Sequence, residues 1–159
     1  MCKKIFWILF LNGFFLYANE PQERPKLPLS QSLPYLQTIE HDALILGEGP
    51  TKVYVFVDPY CPNSRNFLSL IDENSKMRSK YTYYFFLYEL KRFNSAEMIA
   101  KIYSSSNPLD ALKRVMIQDQ NLSDNINPSV SGKIAQISNV AQTLDIYKRP
   151  YIIMVKREK

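Results

Sequence analysis

The chemistry available to this sequence is concentrated in Cys61-Pro62-Asn63-Ser64, where a thiol stands at the junction of two elements. Val53–Val57 is a short β-branched and aromatic run that reads as a buried strand, and Asp58-Pro59 breaks it. Pro62 then opens a helix at the first helical position, where its missing N–H costs nothing. The first N–H groups of a helix lack intrahelical partners, and the helix dipole places partial positive charge there. A thiolate, the reactive form of cysteine, is stabilised at such a place. Phe67, Leu68 and Ile71 recur at helical spacing, which fixes the helix to a core by one apolar face and leaves Cys61 at its tip.

The rest of the chain supplies the frame. Ala43–Leu46 reads as a first strand before the turn Gly47–Pro50, Tyr81–Tyr88 as a second strong strand, and Tyr151–Val155 as a last one. Burial of both faces explains the aromatic density of Tyr81–Tyr88 more simply than a ligand surface does. Three helices are expected between these last two strands. One starts at the capping-box pattern Asn94-Ser95-Ala96-Glu97, with Met98, Ile99 and Ile102 inward. Another starts at Asn107-Pro108, with Leu109, Leu112, Val115 and Met116 as its stripe. The third spans Ser131–Leu144, with Ile134, Ile137, Ala141 and Leu144. Tyr35–His41 reads as a short helix, Asn74–Lys80 as a polar linker and Asn121–Pro128 as a loop. His41, the single histidine, has no partner motif and reads as a surface residue.

At 159 residues the chain is one domain behind a leader. Residues 1–18 read as a secretory signal peptide: Lys3 and Lys4, the apolar run Ile5–Leu16, then the small Ala18. The run is short for a membrane span, and an uncleaved anchor is the alternative. Removing it takes two of the 20 basic side chains and none of the 15 acidic ones, leaving a net charge of +3. The basic residues are scattered, with no stripe interleaved with aromatics, which argues against nucleic acid. Of the two cysteines only Cys61 remains, and a lone cysteine in an oxidising compartment is a reactive thiol or an intermolecular link. Pro21, Pro25, Pro28 and Pro34 make the next stretch an extended tether. The expected organisation is 1–18 signal peptide, 19–40 Pro-rich tether and 41–159 domain.

Three blocks, V-F-V-D-P-Y-C-P-N-S, S-A-E-M-I-A-K-I-Y and L-D-I-Y-K-R-P-Y-I-I-M-V, taken in order and spacing, resemble the thioredoxin superfamily. The likeness is to the catalytic domain of the periplasmic disulfide isomerases of the DsbC and DsbG type, over Ala43 to Val155. It implies an α/β, thioredoxin-like fold with a helical insert between the active-site βαβ unit and the cis-proline strand. It also implies a C-x-x-C motif whose second cysteine has become Ser64, with Pro150 as the cis-proline facing the thiol. The catalytic residues would be Cys61, Ser64 and Pro150, and the substrate-binding ones Pro62, Asn63 and Arg149, with no metal and no cofactor. Arg149 stands where the family commonly has a small residue. The pattern departs in three further places. The last strand and helix of the fold are not accommodated after Val155. The family's second cysteine pair is absent, with Ser104 at one position and no cysteine in Asp119–Asn127. Too few residues precede Ala43 to hold a separate dimerisation domain, so a homodimer would need another route.

Two local readings stay open. The Ser64 hydroxyl either donates to the thiolate or is a tolerated small polar residue at a helix start. Arg149 either turns inward and favours the thiolate, or lies in solvent before a trans proline. Three functions follow. The first is an exported, periplasmic thiol–disulfide exchange protein, isomerase-like, acting on exported proteins with cysteines and served by a membrane thiol reductase. The second is a redox-inactive thioredoxin-fold binding module or chaperone. The third, a monothiol glutaredoxin-like protein using glutathione or an iron–sulfur cluster, is disfavoured by export.

Overall fold

Four strands carry the site. They are Leu44–Leu46 (β1), Thr51–Val57 (β2), Tyr81–Leu87 (β3) and Tyr151–Met154 (β4), in a computed structural model that describes residues 27–123 and 125–155. The sheet order is β1-β3-β2-β4, with β2 and β3 parallel and both outer strands antiparallel to their neighbours. In register, Val55 stands opposite Phe85 on one side and Ile152 on the other. A parallel pair needs a crossover. Pro62–Glu73 (α2) and Ser75–Lys80 (α3) provide it, which puts the thiol where β2 ends and the crossover begins.

Hydrophobic burial explains why these runs are strands. Val53 to Val57 are buried without alternation, as are Phe85, Phe86 and Leu87, because β2 and β3 lie inside the sheet with helices on its faces. The first half of β3 is less covered, and Tyr81 and Tyr84 are half-buried. The insert between β3 and β4 comprises Ala96–Ser104 (α4), Pro108–Met116 (α5) and Val130–Thr143 (α6); the expected stripes are buried except at Leu109 and Ile134, which are half-buried. Asn107 caps α5 by accepting from the Asp110 N–H at 3.2 Å.

Three expectations are corrected. The tether reading fails from Leu29 onward, because Leu29–Thr38 forms a helix (α1) with Pro34 inside it. An interior proline costs about 3 kcal/mol. Leu36 and the adjoining Ile39 are fully buried, and each such side chain contributes about 1.5–3 kcal/mol, which offsets that cost. Asn74–Lys80 is no linker either: Asn74 accepts from the Met77 N–H at 3.1 Å and starts α3. The capping box Asn94–Glu97 does not form, because the helix starts one residue later with Ser95 at the cap position; the Ser95 hydroxyl donates to Asp58 and Glu97 pairs with Lys101. Among the described residues no strand or helix follows β4, and no helix is long and apolar enough to cross a membrane. The signal-peptide reading of residues 1–18 lies outside the described residues.

The Ser104 hydroxyl accepts from the Asn127 N–H at 2.9 Å, so a hydrogen bond joins the end of α4 to the loop before α6.

Candidate functional site

Cys61 is the N-cap residue of α2, with extended backbone dihedrals of −76° and 119°. Its N–H donates to the Asp58 carbonyl at 3.1 Å, and its own carbonyl accepts from the Arg65 N–H at 3.0 Å, so a tight turn passes directly into the helix. The side chain is only 1% exposed, and its S–H donates to the backbone carbonyl of Arg149 at 3.6 Å. The thiol thus faces the loop ahead of β4.

The turn is fixed by Asp58, whose carboxylate is fully buried and accepts three hydrogen bonds. Oδ1 takes the Tyr60 N–H at 2.8 Å, and Oδ2 takes the Leu90 N–H at 2.6 Å and the Ser95 hydroxyl at 2.8 Å. A buried carboxylate is tolerated only when so satisfied. One side chain thereby ties the end of β2 to the segment after β3 and to the start of α4. Sequence inspection sees only a strand breaker there, since its partners lie 32 and 37 residues downstream.

Arg149 turns inward and is 5% exposed. Nε donates to the Tyr88 carbonyl at 2.9 Å, Nη1 to the carbonyls of Ile146 at 3.2 Å and Lys148 at 2.8 Å, and Nη2 to that of Glu89 at 3.4 Å. The guanidinium also lies 4.1 Å from the centroid of the Tyr88 ring, a cation–π contact. Burial lowers this group to about 10, against the opposing pull of Tyr88, Asp58 and Cys61. At neutral pH it remains a buried cation near the thiol. The Arg149–Pro150 peptide is cis, as the resemblance implies, and the solvent-facing alternative for Arg149 is set aside.

The other candidates fall around this centre unequally. Pro62 and Asn63 are exposed on the first turn of α2, and Pro150 is half-buried next to the carbonyl that meets the thiol. Ser64 is fully buried, and the hydrogen bond it makes is with Asp58, whose N–H it accepts at 3.4 Å. His41 stands apart on the surface, 3.3 Å from Asp42. Sequence reasoning missed Asp58, Tyr88 and Ser95. The Asp-Pro step before the cysteine was the one available signal. A polar hollow of about 180 Å³ opens beside Tyr60, lined by Asn94, Glu97, Lys101 and Asn121. Among the described residues no group of three or more histidine, cysteine or acidic side chains is placed to hold a metal ion.

Several solved structures share the fold. The chain is similar to the catalytic domain of Proteus mirabilis ScsC, at a TM-score of 0.64 and 15% identity over 78% of this chain and 85% of that one. It is similar to a disulfide interchange protein from Neisseria gonorrhoeae, at 0.60 and 18% over 71% and 79%. It is also similar to Helicobacter pylori DsbG, at 0.57 and 14% over 79% and 62%. No protein-family profile and no curated protein matches the sequence. The fold is therefore thioredoxin-like, with the helical insert set between the βαβ unit and the cis-proline strand.

Proposed function

We propose that the protein is a thiol–disulfide exchange protein, isomerase-like, that works through Cys61 alone. The observation supporting this reading is the meeting of a helix N-cap thiol with the carbonyl of Arg149, the residue that also supplies a buried cation. In the first step the Cys61 thiolate attacks one sulfur of a substrate disulfide. A new S–S bond forms to Cys61, the old one breaks, and the departing thiolate takes up a proton. No second cysteine stands on α2 to displace the substrate, so a substrate thiolate or an external thiol attacks the mixed disulfide and regenerates Cys61. With a substrate thiol the electron count closes, and the outcome is isomerisation.

Export belongs to the same proposal and rests on Lys3, Lys4 and Ile5–Leu16. Its substrates would be exported proteins with cysteines, and an external reductant such as a membrane thiol reductase would clear stalled adducts. Recovery of the exported protein on non-reducing gels tests this: adducts at Cys61 should be present and should vanish on reduction and in Cys61→Ser. The full burial of the thiol favours the second reading, a binding module with no exchange chemistry. That reading predicts no adducts, and partners retained by Cys61→Ser.

A further inference from the structure

With Cys61 1% exposed, a disulfide can reach its sulfur only after a neighbouring segment moves. The segment that touches the sulfur is the loop of Arg149, through that residue's own carbonyl. We infer that Arg149 is a positioning residue that holds this loop shut against the thiol, so that Cys61 is presented only when the guanidinium lets go of the wall behind it. The inference rests on the exchange reading only in that the gated group is its nucleophile.

The geometry is that of a clamp. The planar fork spans two stretches, Tyr88 and Glu89 on one side and Ile146 and Lys148 on the other, and sits over the Tyr88 ring. That wall is itself immobilised, because the Tyr88 N–H donates to the Val57 carbonyl at 2.9 Å and the Leu90 N–H to Asp58 at 2.6 Å. Charge-assisted hydrogen bonds are stronger than neutral ones, and a lysine ammonium cannot reproduce a fork that binds several carbonyls and stacks on a ring. The charged and titratable groups facing Arg149 are Tyr88, Asp58 and Cys61.

The test is the rate of iodoacetamide alkylation across pH on the full chain, read on the peptide containing Cys61. In both Arg149→Lys and Arg149→Met the limiting rate at high pH should rise at least about tenfold, the effect of losing a hydrogen bond to a charged group. Amide exchange at Val55 and Phe85, in the middle of the sheet, should stay at the wild-type rate in both variants, a result that general loosening of the structure would not produce. Limiting rates within about twofold of wild type in folded variants would overturn the inference. Should neither arginine variant fold, Tyr88→Leu keeps the carbonyls and removes the ring. Its limiting rate should rise at least about threefold, and an unchanged rate overturns the inference. Failure of the exchange reading looks different: the variants would alkylate faster yet form no mixed disulfide with glutathione disulfide.

Discussion

The thiol of Cys61 donates to the backbone carbonyl of Arg149 across 88 residues of sequence. Arg149 therefore meets the sulfur through its backbone, while its guanidinium is spent on the carbonyls of Tyr88, Glu89, Ile146 and Lys148. The site exists only because β2 and β4 are neighbours, paired from Phe56 with Tyr151 to Val53 with Met154. That pairing brings the residue before the cis-proline beside the residue that opens α2.

Asp58 should be the most sensitive non-thiol position near the site. Asp58→Ala strands two backbone N–H groups and a hydroxyl, and should lower unfolding free energy by about 3–5 kcal/mol; Ser95→Ala, which removes one partner, should cost about 1–2 kcal/mol. Urea unfolding at constant slope measures both. A loss below about 1 kcal/mol for Asp58→Ala would show that the carboxylate does not anchor the turn.

The frame of the site carries an acid sensitivity. Burial pushes the Glu40 carboxyl up, but hydrogen bonds from Lys52 and Tyr54 outweigh it and hold the group below its ordinary value. A depressed folded value contributes stability above the unfolded value of 4.5, and that stability is lost as pH falls through the folded one. Both partners are partly exposed, so the ion pair itself contributes only up to about 1 kcal/mol. The urea midpoint should fall as the pH drops below the unfolded value of 4.5, and Glu40→Gln should show a lower midpoint at neutral pH and a shallower acid-side fall. Equal slopes in the two proteins would rule out this origin.

Much of the site was legible because it is local. The apolar run before Asp58, Pro62 at the first helical position and the apolar face through Leu68 and Ile71 all depend on neighbours in sequence. Pro150 was legible through its flanking strand and the resemblance of three ordered blocks. Distant partners were not. Ser95 carries the signature of a helix cap and spends its hydroxyl on a carboxylate 37 residues upstream. The inward turn of Arg149 depends on a ring and a carbonyl of Tyr88, 61 residues away. The helix through Pro34 was hidden by local propensity, which counts the proline and not the burial of Leu36 and Ile39.

Ser64→Cys should change the kinetics without changing the attack. The position is on the first turn of α2 and fully buried, and the introduced sulfur would stand close enough to displace a bound substrate within the site. An internal nucleophile acts at high effective concentration, so adduct lifetimes should shorten at least about tenfold and dithiol reductase activity toward small disulfides should emerge. Quenched samples on non-reducing gels follow the lifetimes. Unaltered lifetimes would mean that resolution is not limited by the missing thiol.

Exchange at a single sulfur is tested most directly by the intact mass of the folded, purified protein after incubation with glutathione disulfide. One glutathione should be held at Cys61, located by peptide mapping. It should persist until an external thiol is added, and Cys61→Ser should carry none at that position. If the folded protein stays unmodified at Cys61 while the urea-unfolded chain takes up glutathione there, the thiol performs no exchange in the native state. The thioredoxin-like fold would then serve binding alone.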